Sequence, residues 1–195
     1  MTRILTTLSI LSLALVLAAL TMGLSIDDLY ENPSNDTLRL ATVHRLTGIA
    51  AALGVVFVES VVVTYFVGTS RWCKEVSETY RLDMARVNRS NQFKRRAFAV
   101  ALLGMLAVVG IVALGGAADP ATGRENTQAW AIFHLSGALA GVAFIAWTYF
   151  AAWQYIWHQH AIIQEIVAEV GRIRREKGLE PIDDGREIRH FSPVS

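Results

Sequence analysis

Apolar residues gather in four blocks, at about residues 4–24, 42–68, 97–117 and 129–157, separated by stretches rich in charge and turn-forming residues. At about 1.5 Å of rise per residue, each block is long enough to cross a hydrocarbon core of about 30 Å. Four transmembrane helices are predicted. The second and fourth blocks exceed what crossing requires and are expected to tilt or to project from the bilayer. Arg3 ahead of an apolar run ending near Ala18 and Ala19 also admits a cleaved signal peptide. The run is longer than a usual signal core and has no clear A-x-A site, which favours a retained span, and cleavage would leave the orientation of the other three unchanged.

Beyond Trp157 the pattern changes without stopping. Ile162, Ile163, Ile166, Val167, Val170 and Ile173 recur near the helical period with charges between them, so the fourth helix is predicted to continue into water. Gly178 and Pro181 punctuate its end, and an irregular stretch follows. The chain thus divides into a bundle, residues 1–157, and a helical tail, residues 158–195. Between spans two and three, Trp72, Val76, Tyr80 and Met84 give residues 71–96 a weak helical period. Two readings fit it: a surface helix lying on the bilayer or the tail, or a solvated connector with some helix.

Charge adds orientation. Arg71, Lys74, Arg81, Arg86, Arg89, Lys94, Arg95 and Arg96 crowd the segment between spans two and three, which should face the cytoplasm. The two opposite connections are short and poor in basic residues and carry Asp27, Asp28, Glu31, Asp36, Asp119 and Glu125, so they should lie outside. The fold class expected is an all-α integral membrane four-helix bundle with a cytoplasmic extension of the fourth helix. Both termini would be cytoplasmic, and a bacterial inner membrane is the setting read from this pattern. Net charge is only +1, and the basic residues sit beside spans, so nucleic acid is set aside as a partner. One cysteine, Cys73, makes no internal disulfide, and no CxxCH or CxxC pair is present; redox or metal chemistry would have to rest on histidine.

Two histidines recur at the mouths of spans. "HRLTG" begins at His44 and "HLSG" at His134, and spans two and four align at an offset of 90 residues: His44 on His134, Ala51 on Gly141, Glu59 on Tyr149, Thr64 on Gln154 and Tyr65 on Tyr155. Two readings of the chain fit this alignment, a duplicated helical hairpin and two chance-alike spans. Both helices enter from the same side, so both histidines lie at one depth near the outer interface. Helical steps from His44 give Gly48, Ala51, Val55 and Glu59; steps from His134 give Gly137, Ala138, Gly141, Ile145 and Thr148. These small or polar stripes are expected to face the bundle interior. One reading is a b-type haem ligated by His44 and His134 over the glycine surface, with Arg39, Arg45 or Arg124 pairing with its propionates. The other is a pair of interfacial histidines hydrogen-bonded to loop backbone, the glycines serving helix packing.

"HRLTG" and "GGAADPATG", followed by "QAWAIFHLSGALAG", resemble the histidine and glycine-rich loop motifs of one half of haem A synthase, and more loosely small four-helix cytochromes b. The resemblance implies that His44 and His134 are axial haem ligands. It covers two short stretches. The chain has four spans instead of two such halves, Ala41 stands where an acidic residue often precedes the family's histidine, and no outer cysteine pair is present. The resemblance implies haem binding more than haem-modifying catalysis.

Glu59 is the one acidic residue inside a span: a proton relay, quinone contact or ion site, or else a carboxyl fixing helix packing through Ser9, Ser12 or Thr148. It lies about 22 Å along the helix from His44, so the two share no metal. His158 and His160, about 200° apart on a helix, do not chelate one ion and read as interfacial residues beside Trp153, Tyr155 and Trp157. Cys73 reads as a buried or interfacial thiol, and His190 carries little information. No P-loop, HExxH, GxSxG or EF-hand loop occurs. The leading function is a small cytochrome-b-like subunit, not itself a catalyst, exchanging electrons with a quinone or a membrane-protein partner. A cofactor-free structural or assembly subunit, in a larger complex or homo-oligomer, is the alternative, and ion coupling through Glu59 is third.

Overall fold

The computed structural model describes residues 2–180. Four helices, α1 (Thr2–Leu24), α2 (Asn35–Tyr80), α3 (Ala85–Ala118) and α4 (Thr127–Glu176), account for nearly all of them, with a 3-10 turn at Pro120–Thr122. Each α-helix is long and apolar enough to cross a membrane.

The ends of the helices follow from local chemistry. Ser34 caps α2 by accepting the Thr37 backbone N–H at 3.1 Å, with Asp36 in the positive first turn. Residues 71–96 are helical on both sides of a short turn: α2 runs on to Tyr80, α3 begins at Ala85, and both pack on the continuation of α4, which agrees with the reading of a helix lying on the tail and not with a solvated connector. The turn is made by Arg81 in the left-handed region, φ 54°, while the Leu82 N–H donates to the Ser77 carbonyl at 2.8 Å and the Leu82 side chain is buried. Helix α4 passes residue 157 unbroken. It stops where Gly178 was expected to stop it: Gly178 adopts φ 65°, and the Leu179 N–H closes on the Arg174 carbonyl at 2.9 Å. The irregular stretch expected from Pro181 onward, and His190, lie outside the described residues.

All four helices meet in one core, through Leu5 and Val16 of α1, Val55, Val62 and Phe66 of α2, Ala97 and Val108 of α3, and Ile145, Tyr149 and Ile156 of α4. A second core continues past it. Cys73, Leu82, Ile162, Ile166 and Val170 are buried together, with Phe93 of α3 against them. Glu165 pairs with Arg86 at 3.6 Å and with Arg89, and Arg174 donates to the Tyr80 hydroxyl at 3.2 Å. The projecting parts of α2, α3 and α4 therefore hold one another. Around the first core, Ile10, Leu53, Phe57, Leu102, Leu106, Val109, Phe133 and Phe150 are exposed.

Candidate functional site

His44 lies in the third turn of α2 and His134 in the second turn of α4, and the bundle brings their rings to 6.2 Å between centroids with planes at 71°. Each ring rests on a glycine of the preceding helix. A Cβ on Gly23 would come within 2.9 Å of Cε1 of His44, and one on Gly115 within 3.0 Å of Cε1 of His134. Glycine is what lets the imidazoles sit inside the bundle.

Nδ1 of His44 is 2.9 Å from the Ala19 carbonyl oxygen. A carbonyl only accepts, so Nδ1 carries a hydrogen, and in the neutral ring Nε2 is the nitrogen with the lone pair. His134 has the Ile111 backbone beside it in the corresponding place, although its buried Nδ1 closes no hydrogen bond. Neither Nε2 has a partner among the described residues.

The two hairpins repeat. From residue 42 to residue 60, each position matches the one 90 later in being buried, half-buried or exposed. Along α1 and α3 the offset is 92: Leu5 with Ala97, Ser12 with Gly104, Val16 with Val108 and Gly23 with Gly115 occupy equivalent places. The α1–α2 connection is thus two residues longer than its counterpart. These pairs support the duplicated-hairpin reading over chance likeness.

The other expected site residues divide. Gly48 has open space in front of it, whereas Gly137 has Leu114 within 2.7 Å of a would-be Cβ and Gly141 faces Ile111. The small face of α4 is therefore filled by α3 side chains, and the open glycine is on α2. Arg45 is engaged with Asp119 at 2.9 Å, while Arg39 and Arg124 are exposed. The histidine end is tied down by the loop between α1 and α2: Tyr30 donates its hydroxyl to the Ala118 carbonyl at 2.9 Å. Asp28 accepts the backbone N–H groups of Tyr30 and Glu31, which hold its carboxyl below the ordinary 3.8.

Deeper in the bundle Glu59 is fully buried. Thr148 is its partner at 2.8 Å, and Gly104 faces it from α3. Ser12 bonds to Tyr149 at 2.8 Å instead of to Glu59, and Ser9 makes no bond to it among the described residues. Farther on, His158 stacks on Phe93 at 5.0 Å and 7°. Buried Gln159 donates to Ser90 at 2.9 Å beside Cys73, a polar cluster that the sequence reading missed because Gln159 stands between two conspicuous histidines.

Among the described residues no three His, Cys, Asp or Glu side chains gather as a metal site. Two imidazoles are donors that a b-type haem would take from a protein, and His44 and His134 are the residues that would supply them. Compared with known proteins, the chain matches no family model, no curated protein and no solved structure.

Proposed function

We propose that the chain is a multi-pass protein of a bacterial inner membrane, with both ends cytoplasmic, that carries electrons through one b-type haem held by His44 and His134 near the outer surface. Four long apolar helices and the exposed belt of Leu53, Phe57, Leu102, Leu106 and Phe150 support insertion, since lipid is the solvent in which such a belt has no cost. The basic segment between Arg71 and Arg96 supports the orientation.

The observation that carries the haem reading is the histidine pair. The bundle brings the two rings to 6.2 Å between centroids at one end, and these two imidazoles would hold the haem iron. His44 is held by Ala19 with Nε2 free, the arrangement in which a backbone carbonyl fixes a ligating ring. Gly23 and Gly115 give the rings their room, Gly48 leaves space below His44, and Arg39 and Arg124 are free for propionates. The haem would supply a one-electron couple; the chain orients its ligands and shields it. A quinone or a membrane-protein partner would be the electron source or sink. The test is a reduced-minus-oxidised absorption spectrum of protein purified after haem-replete expression, in wild type and in the His44→Ala, His134→Ala double variant.

A second reading, a cofactor-free subunit of a larger complex, is favoured by one observation. Ser60, Thr64 and Gly68, four residues apart on the outer face of α2, line an open groove edged by Phe57, Trp72 and Ile163. Small residues at that spacing allow a partner's transmembrane helix to approach closely.

A further inference from the structure

The two hairpins differ where they are otherwise most alike. At the level of Ser12 and Gly104, two equivalent contacts cross between the hairpins: Ser12 of α1 closes a polar pair with Tyr149 of α4 at 2.8 Å, whereas Glu59 of α2 lies against Gly104 of α3. Glu59 is fully buried, and its Oε2 has no hydrogen-bond partner among the described residues. A carboxylate in that position would leave a charge in the bundle interior with nothing to balance it. The groups around it offer none: α4 contributes the Thr148 hydroxyl and the Tyr149 phenol, α1 contributes Ser12, already bonded to Tyr149, and α3 contributes Gly104, which has no side chain.

Hydrogen counting gives an independent argument. The Thr148 hydroxyl lies 2.8 Å from Oε1 of Glu59 and 2.8 Å from the Ile145 carbonyl. It has one proton and cannot give it fully to both acceptors. If Glu59 carries a proton on Oε1, that proton goes to the Thr148 oxygen and the Thr148 proton goes to Ile145, so both contacts are satisfied. The site is closed on its Gly104 side. A single Cβ added at Gly104 would meet Oε1 at 2.6 Å and Thr148 Oγ1 at 3.2 Å.

We propose that Glu59 and Thr148 form a proton-binding site buried at mid-depth in the bundle, occupied in the resting protein and exchanging its proton with water as the bundle breathes. No redox step is involved. One proton binds at Oε1 and one leaves from it, and loss of the proton leaves Thr148 to choose between the carboxylate and Ile145. The site stands whether or not a haem is bound above it.

Infrared absorption of the purified full-length protein tests this directly. Wild type is expected to show the carbonyl-stretch band of a protonated carboxylic acid, to shift it in D2O, and to lose it in Glu59→Gln. Thr148→Val should move the band to higher frequency by removing its hydrogen bond, which keeps the test intact if Glu59→Gln does not fold. Superimposable wild-type and Glu59→Gln spectra in that region would overturn the proposal. So would a band unmoved after prolonged incubation in D2O, or one abolished by adding sodium ions, which would assign the site to a metal cation instead.

Discussion

The Ala19 carbonyl takes a hydrogen bond from Nδ1 of His44 across the α1–α2 hairpin, at 2.9 Å, and so decides which nitrogen of that ring remains available. His44 is thereby oriented by α1 and carried by α2, as the proposed haem ligation requires. His134 stands in the equivalent place over Gly115.

The glycines under the rings are therefore sensitive positions. Alanine in a helix is ordinarily favoured over glycine by about 1 kcal/mol. At Gly23 and Gly115 the new Cβ would meet a ring carbon at 2.9 and 3.0 Å. Gly23→Ala and Gly115→Ala are expected to lower haem content several-fold while leaving helix content unchanged, read by pyridine haemochrome assay and circular dichroism on the same samples.

Gly104 should behave as a packing position. Gly104→Ala drives a Cβ to 2.6 Å from Glu59 Oε1 in a closed site, whereas Gly110, on the same helix, has open space before it. Overpacking of this kind costs about 1–3 kcal/mol. A fall in thermal midpoint for Gly104→Ala with no fall for Gly110→Ala is the expected pattern in detergent.

Arg81 carries a removable strain. It holds φ 54° with an exposed side chain, a conformation that costs a residue bearing a Cβ about 1 kcal/mol more than glycine. Arg81→Gly is expected to raise the unfolding free energy by about that amount. Arg81→Ala should not, and a comparison of their denaturation midpoints separates the backbone effect from loss of the charge.

The four helices were legible because lipid-length apolar blocks have few alternative explanations. The continuation of α2 and α3 through residues 71–96 was not. Three packed helices need only a narrow seam, here Cys73, Leu82, Ile162, Ile166 and Val170, so the apolar period there is thin. The stop signal was also hidden, since the left-handed residue is Arg81 and not a glycine. In the site, the depth and pairing of His44 and His134 followed from helix direction and the offset of 90. Their supporting glycines did not, because Gly23 and Gly115 follow an offset of 92 and belong to the other helix of each hairpin. The partner of Glu59 was foreseen as one of three residues, and only helix rotation chooses Thr148 over Ser12.

Asp28 gives the loop over the histidine end a pH dependence. Its carboxyl is held below 3.8 by the Tyr30 and Glu31 N–H groups, so the unfolded chain takes up a proton at Asp28 more readily than the folded one. Its stabilisation is whole above the unfolded value and is lost as pH falls through the lower folded value. The difference in thermal midpoint between wild type and Asp28→Asn is expected at neutral pH and should vanish in strong acid.

The central claim is that His44 and His134 together hold one haem, and the most direct measurement is the reduced-minus-oxidised spectrum of the purified protein after haem-replete expression. The account predicts the sharp bands of a six-coordinate b-type haem in wild type and their loss in the His44→Ala, His134→Ala double variant. A wild-type protein without haem bands, or a double variant that keeps them in full, would contradict it.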